Sequence, residues 1–382
     1  MIQSNLNSFD ISVYIHWPFC KTKCPYCDFN SHENDSINHL AWLEGYLKEI
    51  ELNSDYLKNK NIVSIFFGGG TPSLMDSKVV LKILNKLASY SSFLKDIEIT
   101  LEANPNSVDR KKFKEFYSAG INRISIGIQS LNDDNLKFLG RSHSSKDAFK
   151  AIDIAQSVFS NYSFDLMYAL PGQTIENWQK ELNSAIQYIG NHISCYQLTI
   201  EKGTKFFNDY RDKKFDLLDD GISANMYSIT SEILASNSIY QYEISNYSKI
   251  GFECKHNIRY WKLNSYLGFG PGAHGRFQHD GKIYSTINFY DPKKWLDQLK
   301  NSQSVVQKKS IINEKDDYVE KIIMGMRLNS GMDLLNIDNK EVIEKLLQDG
   351  YIQNKDNKII TTTKKGKLFL NYVIRELTKN IC

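Results

Sequence analysis

At 382 residues the chain is too long for one ordinary core, and its length predicts two or three domains. An apolar fraction of 41% and a charged fraction of 24% exclude a disordered chain, and a formal charge of +3 over this length implies no nucleic-acid partner. Met1 to Ser12 is polar, without the apolar stretch of a secretion signal, and no later run is long enough to span a bilayer.

A cytoplasmic protein is therefore expected, touching a membrane at most peripherally on its inner face. Of the cysteines, Cys20, Cys24 and Cys27 are clustered, whereas Cys195, Cys254 and Cys382 are scattered. That is no disulfide framework, which agrees with a reducing compartment. The first apolar run, Val13 to His16, leads through Trp17-Pro18-Phe19 into the cysteines, spaced Cys-x3-Cys-x2-Cys. Three thiolates are one ligand short of a closed tetrahedral zinc site or a fully protein-ligated iron–sulfur cluster. An open metal position is the reactive alternative. A zinc site completed by His16 or His32, or a disulfide with one spare thiol, is left open by the spacing alone.

Five more strand-like runs follow: Ile62 to Phe67, Ile97 to Glu102, Arg123 to Ile128, Ser163 to Tyr168 and Ile193 to Leu198. Helical patterns alternate with them at Leu40 to Leu52, Val79 to Ala88, Asp109 to Ser118, Lys146 to Phe159 and Ile175 to Tyr188. Such alternation predicts a parallel sheet, here a partial (β/α)6 barrel over residues 1–205, with working residues at the strand exits. After the second strand, Gly68-Gly69-Gly70-Thr71-Pro72 offers close backbone approach and backbone N–H groups for a carboxylate. Glu102 stands at the third exit, Gln129 at the fourth with Arg141 following, and Asp165 in the fifth strand. Together they suggest a polar pocket for a zwitterionic, ribose-bearing cofactor.

Beyond Ile200 the alternation fades. A helix is expected from Ile222 to Leu234, followed by a segment rich in aromatics, glycines and histidines that includes Tyr242 to Tyr247, Cys254 to Trp261 and Leu267 to Gly275. Residues 206–313 are expected to form an α+β cap packed over the open barrel. A sharper reading is a surface for a flat aromatic ligand, with His256, His274 or Cys254 able to ligate haem iron. From Glu314 the pattern changes again, with helices at Asp317 to Leu328 and Lys340 to Gln348, a hairpin over Gly350 to Thr362, and a last helix from Thr363 to Thr378. Residues 314–382 so predict a small winged-helix-like module. Interleaved acids such as Glu314, Asp317, Glu320 and Asp338 suit a cover or partner-docking role better than DNA.

Nearly the whole chain resembles one branch of the radical S-adenosylmethionine (SAM) superfamily, that of the oxygen-independent coproporphyrinogen III oxidases and the related haem chaperones. The resemblance is carried by Tyr14-x-His16-x-Pro18-x-Cys20, the loop ending Cys27-Asp28-Phe29-Asn30-Ser31-His32, Gly68 to Pro72, Ile126 to Ser130, and Leu170-Pro171-Gly172-Gln173-Thr174. His256-Asn257-x-x-Tyr260-Trp261 looks like the HNxxYW motif of the chaperones. The resemblance implies a 4Fe–4S cluster on Cys20, Cys24 and Cys27, with SAM chelating the free iron. It implies SAM contacts at Tyr14, Gly70, Thr71, Glu102, Gln129, Arg141 and Asp165, an aromatic contribution from Tyr26, and a haem b contact at His256. The chain departs from the oxidases at Phe29, where they carry another cysteine, and has nineteen residues before Cys20 where they have a longer arm. These departures favour a chaperone delivering haem to respiratory membrane proteins, as a monomer or homodimer, over oxidative decarboxylation of coproporphyrinogen III.

Overall fold

A computed structural model describes residues 9–333, 340–356 and 358–379. Asp338 and Cys382, named above, lie outside the described residues. Six strands lie side by side in chain order, all parallel: β1 (Asp10–Trp17), β2 (Asn61–Gly69), β3 (Ser92–Ala103), β4 (Arg123–Gln129), β5 (Asn161–Tyr168) and β6 (His192–Gln197). Helices His39–Leu52, Ser77–Ala88, Arg110–Ser118, Ser145–Val158 and Ile175–Ile186 connect them. Each helix begins where a side chain accepts a backbone N–H, from Asn38, Asp76, Asp109, Ser144 and Thr174 in turn. These caps satisfy donors that the first turn leaves orphaned, which is why the helix starts are sharp. Strands covered on both faces need near-continuous apolar runs, and Val13, Ile15, Ile65, Phe67, Leu101, Ile126 and Phe164 are all sealed in one core. This is the expected α/β partial barrel.

The segment expected as a cap extends the barrel's sheet at both edges. On one edge β7 (Tyr240–Gln241) and β8 (Asn246–Ser248) follow β6 antiparallel, β8 pairing with β6. On the other, β9 (Tyr266–Phe269) pairs parallel with β1 and is followed by β10 (His274–His279), β11 (Lys282–Asn288) and β12 (Val306–Ile312). The physical reason is that a partial barrel leaves β1 and β6 as open edges with unpaired backbone groups. Leu267, Phe269, Phe277 and Trp295 enter the barrel's own core. A buried carboxylate locks the join: Glu49 accepts from Gly270 N–H at 2.8 Å and from Asn288 Nδ2 at 2.6 Å, and burial raises its pKa to about 8.

The C-terminal residues form a second core around Ile322, Met326, Leu346, Ile360 and Val373. Helices Glu314–Gly325 and Lys340–Gln348 pack with a small sheet in which Ile359–Thr362 lies between Met332–Asp333 and Ile352–Asp356. The expected last helix is broken at Phe369 into Lys364–Leu368 and Leu370–Thr378, because Gly366 is pressed against the Tyr351 carbonyl and the chain must bend to bury Val373 and Leu377. Arg276 on β10 reaches this module, pairing with Asp317 at 2.5 Å and Glu320 at 2.9 Å. Two of the acids that argued against DNA are thus internal partners. Among the described residues no helix is long and apolar enough to cross a membrane.

Candidate functional site

At the end of β1 the chain folds back on itself. Phe19–Cys20 pairs in parallel with His32–Glu33, and Cys27 N–H donates to the Cys24 carbonyl at 3.1 Å. Each thiol meets a side chain capable of donating to it: Thr71 Oγ1 lies 3.3 Å from Cys20 Sγ, Arg141 Nη1 3.3 Å from Cys24 Sγ, and Ser31 Oγ 3.8 Å from Cys27 Sγ. All three cysteines are free of disulfides. Among the described residues no three His, Cys, Asp or Glu side chains gather around the position of one ion. A cubane asks for something else, one thiolate on each of three separate irons. Burial raises the Cys20 and Cys27 thiols above their usual range, so metal loading must displace their protons. His16 is not a spare ligand: its Nε2 donates to the Asn30 carbonyl at 2.8 Å and its Nδ1 accepts from the Tyr14 hydroxyl at 3.1 Å.

The glycine run acts differently from expectation. Gly69 N–H donates to Glu102 Oε2 at 3.1 Å, Gly70 N–H to the Trp17 carbonyl at 2.7 Å, and Thr71 N–H to the Phe19 carbonyl at 2.8 Å. These amides are committed within the protein, so the run is no cradle of free N–H groups for a carboxylate. Gly70 is needed because a Cβ there would lie 2.7 Å from the Phe19 carbonyl oxygen, one residue before the first cysteine.

Two hollows flank the run. A crevice of about 20 Å³ beside the cysteine loop is lined by Cys24, Thr71, Asn104 and Arg141. Arg141 also donates through Nη2 to Asn104 Oδ1 at 2.6 Å and to the Gly127 carbonyl at 2.7 Å, while its buried Nε has no partner. Gln129, at a positive φ of 72°, flanks the same Gly127. On the other side Tyr14, Glu102, Asp165 and His256 line a cavity of about 550 Å³. Tyr26 lines neither hollow; its ring packs against Phe206, centroids 6.3 Å apart, at the edge of an apolar cluster, while its hydroxyl neighbours Cys24 and Arg141.

Burial and mutual charge set the ionisable groups of the larger cavity. Burial, reinforced by Asp165, raises Glu102 to about 8; burial raises Asp165 to about 6 against hydrogen bonding from Ser194 and the charge of Arg123. Arg123, 2% exposed, is the cation whose charge lowers both, its Nε 4.0 Å from Glu98 Oε2 and without a hydrogen bond. It was missed as a site residue; its signal is a charge opening the apolar run Arg-Ile-Ser-Ile. Beyond these groups the walls turn aromatic, with Phe29, Phe66, Tyr260 and Tyr290. Of the three residues considered for iron, His256 and His274 line the cavity. Cys254 does not: it is fully buried, 3.4 Å from Glu98 Oε1, and burial pushes its thiol up to about 12. Trp261 lies instead under the Arg327 guanidinium.

A family model described as the radical SAM superfamily matches residues 14–185. The heme chaperone HemW of Haemophilus influenzae is 38% identical over 383 residues, spanning 95% of this chain and 97% of that one. The mitochondrial radical S-adenosyl methionine domain-containing protein 1 of Danio rerio is 35% identical, spanning 85% of this chain and 74% of that protein. The solved structure of coproporphyrinogen III oxidase HemN from Escherichia coli superposes with a TM-score of 0.81 over 98% of this chain and 93% of that one, at 20% identity, a likeness of fold. This chain belongs to the HemW family of the radical SAM superfamily.

Proposed function

We propose that this chain is a haem chaperone, holding haem b in the larger cavity and delivering it to haem-dependent respiratory membrane proteins. The observation that carries the reading is that cavity itself: about 550 Å³, aromatic toward its rim, with the buried His256 ring on its wall. Its size and lining suit a largely apolar ligand with a few fixed polar groups. Burial lowers His256 to about 3, which keeps the imidazole neutral as a ligand requires.

Cys20, Cys24 and Cys27 would hold a 4Fe–4S cluster, the donor set fitting in number, freedom and hydrogen-bond support. Tyr14, Gly70, Thr71, Glu102, Gln129, Arg141 and Asp165 would surround SAM, Gly70 by letting the backbone come close and Arg141 through its unpartnered Nε. Tyr26 would act from behind Arg141. Bound together, the cluster and SAM supply one-electron reduction of a sulfonium. The work divides into a cofactor barrel (1–205), a haem-handling extension (206–313) and a docking module (314–382). Delivery would occur at the inner membrane face from a peripheral position, by a monomer or a homodimer.

The alternative is oxidative decarboxylation of coproporphyrinogen III, favoured by the HemN-like fold. Against it stands Phe29, an apolar ring 57% exposed at the cavity where the oxidases carry a cysteine. The test is to offer the anaerobically reconstituted protein haem and coproporphyrinogen III separately. A chaperone binds haem stoichiometrically and reactivates a haem-depleted respiratory membrane enzyme. Catalytic formation of protoporphyrinogen without reactivation overturns the proposal.

A further inference from the structure

Four histidines line the larger cavity, and their hydrogen bonds make them unequal. His16 has both ring nitrogens engaged, as above. His192 is held at both ends, by Ser163 Oγ at 2.6 Å and the Tyr242 hydroxyl at 2.8 Å. His274 is exposed, with its Nε2 3.3 Å from the Tyr290 hydroxyl. His256 combines burial with an open nitrogen: among the described residues its ring is hydrogen-bonded through Nδ1 alone, 3.1 Å from Ser64 Oγ. Phe66 packs against one face of the ring in a tilted contact, centroids 5.2 Å apart and planes at 33°.

That contact ends a relay whose direction can be worked out. Arg259, three residues along the helix Lys255–Trp261, donates Nε–H to Ser12 Oγ at 2.8 Å. A guanidinium has no lone pair to offer, so Ser12 oxygen is the acceptor. Ser64 Oγ–H donates to the same oxygen at 2.9 Å. A hydroxyl has one proton, so Ser64 is left to accept from His256. The imidazole proton is therefore on Nδ1 and the lone pair on Nε2. Ser12 and Ser64 are neighbours across β1 and β2, at 1% and 0% exposure, so bulk water does not compete for these bonds. Two hydroxyls inside otherwise apolar strands serve no packing need that Ala or Val would not meet.

We propose that Ser12, Ser64 and Arg259 are positioning residues that hold His256 in its Nδ1–H tautomer and present Nε2 to haem iron. The proposal rests on the cavity being the haem site and adds what makes one histidine in four the ligand. A fixed acceptor on Nδ1–H sets the ring orientation and raises the basicity of Nε2.

The test uses the full chain with its cluster reconstituted, titrated with haemin and then reduced. Resonance Raman reads the iron–imidazole stretch of the ferrous complex, and iron and sulfide analysis reports on folding. Ser64→Ala should lower that stretch and weaken haem binding about 10-fold or more, the scale on which outer partners act on metal ligands, with cluster content unchanged. Ser12→Ala should also weaken binding, because it frees the Ser64 proton to donate to Nδ1 and populates the wrong tautomer. If His256→Ala removes the stretch while Ser64→Ala and Ser12→Ala leave frequency and affinity at wild-type values, the relay is overturned and the ligand assignment stands. If His256→Ala itself keeps the wild-type stretch and affinity, the ligand assignment falls and the relay with it.

Discussion

Replacing Gly70 tests how the cysteine loop is held. A Cβ at this position would lie 2.7 Å from the Phe19 carbonyl oxygen and 2.9 Å from its carbon and nitrogen. These are backbone atoms that no rotamer change can move. Overpacking of this kind costs about 1–3 kcal/mol. The shift that relieves it also strains two hydrogen bonds, Gly70 N–H to Trp17 and Thr71 N–H to Phe19, at about 1 kcal/mol each. The expected loss is thus about 3–5 kcal/mol for Gly70→Val, with Cys20 carried out of place because it follows Phe19. Gly70→Ala should come close to the same loss, since the Cβ alone makes the clash. Anaerobic iron and acid-labile sulfide per chain, with urea unfolding of each variant, reads both effects. Were Gly70→Ala to keep wild-type cluster content and stability while losing SAM by calorimetry, the glycine would serve cofactor approach alone and the packing argument would be wrong.

Replacing any of Cys20, Cys24 or Cys27 by Ala should abolish most iron and sulfide while haem binding persists; one zinc per chain without sulfide in the wild type would refute the cluster assignment. Glu102, raised to about 8 by burial and Asp165, keeps a proton that the unfolded chain releases near pH 4.5. The contribution of Glu102 to the stability of the ligand-free protein should therefore fall from about pH 4.5 to about pH 8 and then level off. Glu102→Gln should flatten that slope in urea unfolding and raise stability at pH 8. Arg276→Ala leaves Asp317 and Glu320 without their shared cation, at a cost between the roughly 1 kcal/mol of an exposed pair and the 3–5 kcal/mol of a buried one. Hydrogen exchange should show loosened protection around Glu314–Gly325 with the barrel core unchanged.

The barrel was legible because its signals are local. Each expected strand from Val13 to Leu198 lies in or overlaps an observed one, and the caps Asp109 and Thr174 mark helix starts that sequence alone can place. The edge strands were not legible. Tyr266–Phe269 carries only four residues and runs straight into Gly270-Pro271-Gly272, and its place beside β1 depends on a partner more than two hundred positions earlier. The glycine run was read by composition as an anion cradle, but its N–H groups are engaged by Trp17, Phe19 and Glu102, contacts that only the folded chain brings together. Tyr26 fell outside both hollows for a similar reason: Phe206, the ring it packs on, is 180 residues away in the chain.

Arg123 bears on how the proposed cavity would serve two ligands of opposite character. It is a buried cation beside Glu98, and it lines the cavity floor together with Glu102 and Asp165, so that floor carries two acidic groups to one basic one. Such a floor attracts ammonium and sulfonium groups and resists a second carboxylate without a cation of its own. The opposite wall is built from Phe29, Phe66, Tyr260 and the neutral His256, and it gains from excluding water rather than from charge. On the proposed reading SAM takes the floor and haem the wall, and His256 is kept neutral by the burial that the aromatic wall provides. Removing the Arg123 charge with Arg123→Met would leave Glu102 and Asp165 facing each other uncompensated and drive both further toward protonation. SAM affinity would then fall at neutral pH while haem affinity stayed within a few-fold of wild type. A parallel loss of both would mean that floor and wall are one site.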